Sequence, residues 1–284
     1  KVRNVSYQAF VSEYRGHAGK LATEICAMDD NDICLVAVGG DGTANEVING
    51  ITDFEKVRFG VIPTGSGNDL ARGLSLSKDP KNGAIHILNA MKKSREDTWC
   101  MDLGEVNFGE KKRLFAISAG IGLDALVCKK ALKSTIKDIL NKIRLGKLTY
   151  LVLTVQSLFT MQTADAEIFF DREEGLQKKR MIFTAAMNFK AEGGGVPMAP
   201  AASACDGKLS FCEAAGIPKW RTFLCLPFLV AAKHTSIHGF SVTDAKDCTI
   251  RLSRPMVVHA DGEYCGEVTE VHFHCLPGKL RVLK

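Results

Sequence analysis

The chain has 284 residues, 46% of them hydrophobic and 24% charged, which is the composition of a globular protein with a sizeable core. Its net charge of +5 comes from scattered Lys and Arg residues that Asp and Glu nearly balance, which does not favour a nucleic-acid-binding surface. No apolar stretch is long enough for a membrane-spanning helix, and the ten cysteines include no C-x-x-C pair, so reduced thiols in the cytoplasm are expected.

The first third of the chain alternates predicted strands with predicted helices. Strands are predicted at residues 5–11, 33–38 and 57–62, and helical faces at residues 18–25, 47–51, 70–74 and 85–91. The second strand is a continuous apolar run that ends in two glycines, as in buried parallel strands. The alternation therefore predicts a parallel sheet covered by helices, over residues 1–97.

After residue 97 the pattern changes to short alternating strands separated by turns. Strands are predicted at residues 101–108, 114–118, 166–170, 181–187, 209–214, 249–252, 256–260, 268–275 and 280–283. Helical stretches at residues 123–160 and 218–233 interrupt them. This pattern predicts a largely antiparallel second domain over residues 98–284.

Two glycine-rich turns follow the two predicted parallel strands. The first reads Gly39-Gly40-Asp41-Gly42-Thr43-Ala44-Asn45, and the second reads Thr64-Gly65-Ser66-Gly67-Asn68-Asp69. Glycines at the start of a helix let backbone N–H groups approach phosphate oxygens, although a single such turn is also typical of ordinary connections. Because the carboxyl ends of neighbouring parallel strands share one edge, the two turns should converge on one crevice.

Other motifs are weaker or absent. The chain lacks a P-loop and the sequence motifs of protein kinases. Residues 120–125 fit a dinucleotide-binding pattern but lie in the antiparallel part, without a βαβ unit. Cys265, His272, His274 and Cys275 lack the spacing of a metal site and are interpreted as ordinary strand residues.

The motifs together resemble the catalytic region of the diacylglycerol kinase family, which includes bacterial lipid kinases, sphingosine kinases and ceramide kinases. The resemblance runs in order along nearly the whole chain, through the two glycine turns, Asp102-Leu103-Gly104-Glu105, Gly193-Gly194-Gly195, Ala199-Pro200, Asp206-Gly207, Asp261-Gly262-Glu263 and Leu276-Pro277-Gly278-Lys279. It implies an α/β fold of two domains, a Rossmann-like nucleotide-binding domain and a C-terminal β-sandwich-like domain with inserted helices. The active site would lie between them.

The resemblance also implies roles for individual residues. Nucleotide binding is implied for Ser12, Gly39, Gly40, Asp41, Gly42, Thr43, Asn45, Thr64, Gly65, Ser66, Asp69 and Asp102. Asp261 is the expected general base, with Glu263 nearby, and Asp206 is expected to hold a structural Mg²⁺ together with the carbonyl groups of Ser203 and Lys208. The implied reaction transfers the γ-phosphoryl group of ATP to a lipid hydroxyl, that of diacylglycerol in the first place, with ATP and Mg²⁺ as cofactors.

The family pattern also sets expectations about partners and location. The implied partner is a lipid substrate at a membrane surface, so a cytoplasmic protein with peripheral membrane contact is expected, and a homodimer is left open.

Two other functions stay open. One is an NAD kinase-like phosphotransferase with a soluble acceptor, which shares the Gly-Gly-Asp-Gly-Thr loop. The other is a non-catalytic nucleotide- or lipid-binding regulator, and the joint presence of Asp41, Asp102, Asp206 and Asp261 argues against it.

Three departures from the family pattern qualify these expectations. The family's first strand, with its N-P-x-S-G loop, is expected to precede Lys1. Cys205 stands where a second aspartate is common, which weakens the expected Mg²⁺ site. Ile117 stands where an asparagine is common, which is expected to alter the lipid cleft.

Overall fold

The computed structural model describes residues 6–28, 31–133, 146–171 and 174–284. Its helices are α1 (His17–Cys26), α2 (Asp41–Gly50), α3 (Asp69–Gly73), α4 (Pro80–Ala90), α5 (Leu123–Lys133), α6 (Gly146–Thr160) and α7 (Lys219–Val230). Its strands are β1 (Ile33–Gly39), β2 (Val57–Pro63), β3 (Trp99–Phe108), β4 (Lys111–Phe115), β5 (Ser118–Gly122), β6 (Ala164–Phe170), β7 (Leu176–Met181), β8 (Phe183–Met187), β9 (Leu209–Ala214), β10 (Phe240–Ala245), β11 (Asp247–Ala260) and β12 (Glu263–Val282).

The strands predicted at residues 33–38 and 57–62 form a parallel pair with helices on both faces. Strands β1 and β2 align from Ile33 opposite Val57 to Gly39 opposite Pro63. Because successive side chains of a strand point to opposite faces, Leu35 packs in the core with α1 and α2, while Val36 packs against Ile87 of α4. The predicted helix-covered parallel sheet is confirmed.

All the named strands join one hydrogen-bonded sheet. Its main path is β1-β2-β12-β11-β5-β8-β9-β10, with β3 and β4 attached through β12 and with β6 and β7 attached through β11. Apart from the β1–β2 and β2–β12 pairs, the strand pairs of the described residues are antiparallel. The two-part α/β architecture with a β-rich second part is therefore confirmed.

The last strand returns to the first region of the chain. Near the end of β12, Arg281 lies opposite Arg58 and Val282 opposite Phe59, both in parallel register. Leu280 and Val282 are buried in the same core as Phe59. The boundary between residues 97 and 98 stays a prediction, and the structure adds that residues 280–282 extend the sheet of the first region.

Several predicted elements differ from those observed. The strand predicted at residues 5–11 is wrong for residues 6–11, which form no regular secondary structure before α1. The strand predicted at residues 114–118 is divided between β4 and β5, and the one at residues 181–187 breaks between β7 and β8. The pairs of strands predicted at residues 249–260 and 268–283 each form one long strand, which tolerates local register shifts. The middle of the helical stretch predicted at residues 123–160 lies outside the described residues.

Candidate active site

The two glycine-rich turns touch at the carboxyl ends of β1 and β2. The N–H of Thr64 donates to the carbonyl oxygen of Gly39 at 2.9 Å. A Cβ atom on Gly65 would lie 2.6 Å from the Cα atom of Gly40, which is closer than non-bonded carbon atoms approach. Only glycine at position 65 allows this contact, and the predicted convergence of the two turns is confirmed.

Asp41 is the first residue of α2, and its carboxylate holds the second turn. Its Oδ2 accepts a hydrogen bond from the N–H of Asp69, and its Oδ1 accepts one from the N–H of Leu70, both at 3.1 Å. Burial raises the pKa of the Asp41 carboxyl above its ordinary value, and backbone hydrogen bonds at Leu70 and Asn68 together with the charge of Arg72 oppose the rise. The carboxylate therefore ties the start of α2 to the start of α3.

Asp69 joins this edge to the glycine-rich segment of the second domain. Its Oδ2 accepts a hydrogen bond from the N–H of Gly194 at 2.9 Å, and its Oδ1 is paired with the Arg72 guanidinium. Arg72 also donates to the carbonyl oxygen of Gly67 at 3.0 Å. The buried Asp69 therefore ties residues 193–195 to the second glycine turn.

Asp261 lies in the turn between β11 and β12, and its carboxylate is fully occupied. Oδ1 accepts hydrogen bonds from the N–H groups of Ile117 (2.8 Å) and Ser118 (3.1 Å). Oδ2 accepts from the N–H of Ala116 and from Nδ2 of Asn45, both at 2.8 Å. Burial raises the pKa of Asp261 above its ordinary value, although the four donors favour its ionised form. All four lone pairs of the carboxylate are engaged, so a substrate hydroxyl must displace a donor.

Asn45 is the only side chain among those four donors, and its amide orientation is fixed. The guanidinium of Arg113 donates from Nε to Oδ1 of Asn45 at 2.9 Å. Because a guanidinium is only a donor, the NH₂ group of Asn45 must point the other way, towards Asp261 and the carbonyl oxygen of Leu114. Asn45 belongs to α2, so the first glycine turn and the predicted base are linked by one hydrogen bond.

Glu263 faces the phosphate-loop candidate more openly than Asp261 does. A Cβ atom on Gly42 would lie 3.3 Å from Oε1 of Glu263, and Arg15 pairs with the same carboxylate. The Glu263 side chain is 18% exposed. Its contact with the first turn of α2 places it beside the region where the sequence predicts the phosphates.

Most of the remaining predicted nucleotide residues lie on the two glycine-rich turns. Thr64, Gly65 and Ser66 are exposed on the second turn, and Thr43 packs against Gly39. Ser12 lies in the exposed segment that precedes α1, three residues before Arg15.

Asp102 is grouped with the predicted metal loop rather than with the glycine turns. Its Oδ2 accepts a hydrogen bond from the N–H of Gly207 and its Oδ1 from the N–H of Gly278, both at 2.7 Å. The side chain is buried, so it clamps the loop at Gly207 to strand β12 at Gly278. Its predicted contribution to nucleotide binding is not among these contacts.

We expect Asp102→Asn to lower the free energy of unfolding by about 2–4 kcal/mol, because the new NH₂ group would face a buried N–H donor. Urea or guanidinium titration measures this change. The matched control is Asp79→Asn, because Asp79 is an exposed N-cap that accepts from the N–H of Lys81 at 3.1 Å, and Asn caps equally well. Equal stability of the two variants would contradict the clamp.

Sequence reasoning missed a cluster beside Asp261, in which His259 is buried and the two carboxylates are half-buried. Ligand atoms of Asp124, Glu192 and His259 lie within 4.8 Å of one another, and the hydroxyl of Ser118 donates to Glu192. Nε2 of His259 lies 3.1 Å from Oδ2 of Asp124, while Nδ1 accepts from the N–H of Gly262 at 3.2 Å. A neutral His259 therefore carries its proton on Nε2, which favours a hydrogen-bonded pair with Asp124 over metal ligation. Asp124 lies in residues 120–125, whose likeness to a dinucleotide-binding motif was rejected. The spacing of residues in the sequence therefore gave no indication that Asp124 belongs to the site.

The donor chemistry of the predicted Mg²⁺ loop fits the ion in part. The carboxylate of Asp206 and the carbonyl groups of Ser203 and Lys208 are hard oxygen ligands, which Mg²⁺ prefers. Oδ1 of Asp206 accepts from the N–H of Lys208 at 3.1 Å, which leaves Oδ2 available, and Asp206 is exposed. The Cys205 thiol supplies no hard ligand, and Oγ of Ser203 lies 3.5 Å from it.

The discarded cysteine and histidine group does not assemble into a metal site. His272 and His274 both contact Oδ1 of Asp247, at 3.3 and 2.6 Å, and Cys275 is buried in the core. These contacts agree with the interpretation that these four are ordinary strand residues.

Within the described part of the chain, every helix is too short or too polar to cross a membrane.

Known protein families match both parts of the chain. The model for the diacylglycerol kinase catalytic domain matches residues 1–101. The model for the YegS C-terminal NAD kinase beta sandwich-like domain matches residues 118–284. The two matches agree with the α/β region and the β-rich region of the fold.

Curated relatives and solved structures agree with these matches. The Bacillus subtilis protein named "Putative lipid kinase YtlR" is 30% identical over 285 residues, covering 99% of this chain and 90% of the relative. A diacylglycerol kinase of Bacillus subtilis is 28% identical, covering 88% and 76%. The crystal structure of a "putative diacylglycerol kinase" from Bacillus anthracis shares the fold, with a TM-score of 0.73, 22% identity and coverage of 96% and 84%. The chain, with its paired glycine turns and its YegS-type second domain, belongs to the diacylglycerol kinase catalytic family.

Proposed function

We propose that this protein is an ATP-dependent lipid kinase that phosphorylates a lipid hydroxyl, with diacylglycerol as the first candidate acceptor. The observation that carries the proposal is the convergence of two glycine turns with Asp261 and Glu263 at one edge of the sheet. A relative named diacylglycerol kinase matches 88% of the chain. The acceptor itself remains part of the proposal.

Backbone groups are the proposed phosphate ligands. Gly40 and Gly42 flank the start of α2, where unpaired N–H groups and the helix dipole favour an anion. Thr64 and Ser66 are exposed on the neighbouring turn, within reach of the same crevice. We propose that the phosphates of ATP lie across these two turns.

Asp261 is the proposed proton acceptor, and Asn45 controls it. The lipid oxygen attacks the γ-phosphorus, the bond from this phosphorus to the ADP oxygen breaks, and the hydroxyl proton moves to a carboxylate oxygen. Withdrawal of the Asn45 amide would free one lone pair on Oδ2 of Asp261, since the other three donors belong to the backbone. Glu263, beside Gly42, is the competing acceptor.

Mg²⁺ fits two places in this proposal. Asp41 begins α2, where we propose that the phosphates lie, and its carboxylate oxygens are hard ligands, so it would hold an ion that accompanies ATP. Asp206 would hold a structural ion with carbonyl groups of its loop. Bound Mg²⁺ would neutralise charge on the phosphates, while the residues of the chain orient the acceptor and take its proton.

The direct test is transfer of phosphate from γ-labelled ATP, with Mg²⁺, to diacylglycerol, monoacylglycerol, ceramide and sphingosine in mixed micelles, and to NAD in solution. The full natural chain should be used. A labelled diacylglycerol product would support the proposal. If a different lipid is labelled, that lipid would take the place of diacylglycerol as the proposed acceptor. Label on NAD alone would favour the soluble-acceptor alternative. ATP binding without any transfer would favour a non-catalytic regulator.

A further inference from the structure

Helix α7 presents an apolar face to solvent. Its exposed residues include Trp220 (60% exposed), Phe223 (40%), Leu224 (57%) and Phe228 (49%), which recur at helical spacing. The opposite side of the helix buries Thr222, Cys225 and Leu229. Helices of globular proteins normally bury their aromatic stripe, so this face requires an explanation.

Helix α6 extends this surface. The Phe159 side chain is 51% exposed, and its ring centroid lies 6.0 Å from that of Phe223. The ammonium of Lys219 donates to the carbonyl oxygens of Phe159 and Met161, which fixes the start of α7 to the end of α6. The α6–α7 face is defined here as Val152, Phe159, Trp220, Phe223, Leu224 and Phe228.

The segment of the chain that forms α7 carries charge of one sign. No Asp or Glu occurs in the sequence between Glu213 and Asp244, whereas Lys219, Arg221 and Lys233 lie at the two ends of α7. Arg221 and Lys233 are exposed. An apolar aromatic surface with basic residues at its rim is complementary to the surface of a lipid bilayer, where anionic headgroups lie above the acyl chains.

We propose that the α6–α7 face docks on the surface of an anionic lipid bilayer, with Trp220 and Phe228 entering the headgroup boundary. This inference rests on the proposed function, because a lipid acceptor must be reached at a membrane. Indole and phenyl rings are favoured at that boundary, and Lys and Arg beside them contact lipid phosphates.

A second copy of the chain fits this face less well. A two-fold dimer would place identical patches together, so the rim of Lys219, Arg221 and Lys233 would meet itself. The described part of the face offers no acidic side chain to pair with these charges. Anionic lipid supplies the missing opposite charge.

The α6–α7 face is continuous with the candidate active site through packed helices. Asp124, in the first turn of α5, contacts His259 beside Asp261. At the other end of α5, the ammonium of Lys130 donates to the hydroxyl of Thr160 in α6 at 3.1 Å. A membrane docked on α6 and α7 would therefore lie at the end of the same helical layer that begins at the site.

The intrinsic fluorescence of Trp220 tests the docking directly. The chain has two tryptophans, so Trp99→Phe leaves Trp220 as the single reporter. With vesicles of phosphatidylcholine plus phosphatidylglycerol, we expect a blue shift and quenching by brominated lipid. Leu224→Asp should reduce vesicle binding about tenfold or more, and Arg221→Gln about fivefold. The matched control is Ile85→Asp on α4, which is 49% exposed and lies outside the face.

The outcomes separate the docking from the reaction. The docking would be supported and the kinase proposal refuted if Leu224→Asp abolishes vesicle binding, Ile85→Asp does not, and no lipid is phosphorylated. The docking alone would be refuted if a short-chain soluble acceptor is phosphorylated while Leu224→Asp and Ile85→Asp bind vesicles equally. A dimer seen by light scattering that Leu224→Asp dissociates would assign the face to a second copy and also refute it.

Discussion

Asp261→Asn should reduce phosphoryl transfer by about 10²–10⁴-fold and the free energy of unfolding by about 2–5 kcal/mol. The carboxylate accepts four hydrogen bonds from donors, and an amide can accept at only one of its two heavy atoms. The NH₂ group would therefore face two donors in a buried site. The loss of activity would come from both the missing base and the disturbed turn.

Glu263→Gln is the matched control for this prediction. Glu263 is the neighbouring carboxylate in the same turn, and its pair with the exposed Arg15 contributes little to stability, about 0–1 kcal/mol. Single-turnover transfer assays on folded protein, together with thermal unfolding, separate activity from stability. A stable Asp261→Asn variant with normal activity, beside an inactive Glu263→Gln variant, would transfer the base assignment to Glu263.

The pH dependence of the wild-type enzyme checks the same assignment. A base must be ionised to accept a proton, so kcat/KM should fall as the pH falls through the pKa of the base. Because burial raises the pKa of Asp261, this fall should occur at a higher pH than for an ordinary aspartate. An acidic limb at the ordinary aspartate pKa would contradict Asp261 as the base.

Gly65→Ala should reduce kcat/KM by about 100-fold, because a displacement of about 1 Å at a catalytic site has an effect of this order. The new Cβ would lie 2.6 Å from the Cα of Gly40, and that neighbour is backbone, so the two turns must separate. Weaker ATP binding, measured by calorimetry, should accompany the loss of activity.

Gly83→Ala is the matched control for the glycine turns. A Cβ on Gly83 would lie 3.8 Å from the nearest atom, Cδ of Pro63, which is an ordinary contact. Gly83 lies inside α4, where Ala is favoured over Gly by up to about 1 kcal/mol. We expect unchanged activity and equal or greater stability. Normal ATP binding by Gly65→Ala would show that the turns do not form the nucleotide site.

The sequence predicted best where local pattern and topology agree. The run at residues 33–38 is apolar throughout and the run at residues 57–62 is apolar apart from Arg58, so both the parallel pair and the meeting of Gly40 with Gly65 could be expected. It failed at residues 6–11, which form no regular secondary structure although a strand was predicted there. It also divided β11 and β12, because polar and proline residues inside a long strand resemble turns.

The candidate site was predictable only where a motif marks it. Asp41 and Asp261 belong to Asp-Gly motifs, whereas Asp124, Glu192 and His259 come together from three distant segments. Nothing in residue spacing indicates that such residues meet. The sequence likewise could not show that every lone pair of Asp261 is engaged, since three of its four donors are backbone groups of residues 116–118.

The pairing of β12 with β2 has a consequence for the order of synthesis. Residues 57–63 leave the ribosome more than 200 residues before Arg281 and Val282, their partners across the sheet. At about 5–20 residues per second, that interval lasts about 10–40 s. During this time one edge of β2 has no neighbour, and unpaired strand edges are sites of aggregation and of chaperone binding. The nascent protein can complete the sheet of its first region only when residues 281 and 282 emerge.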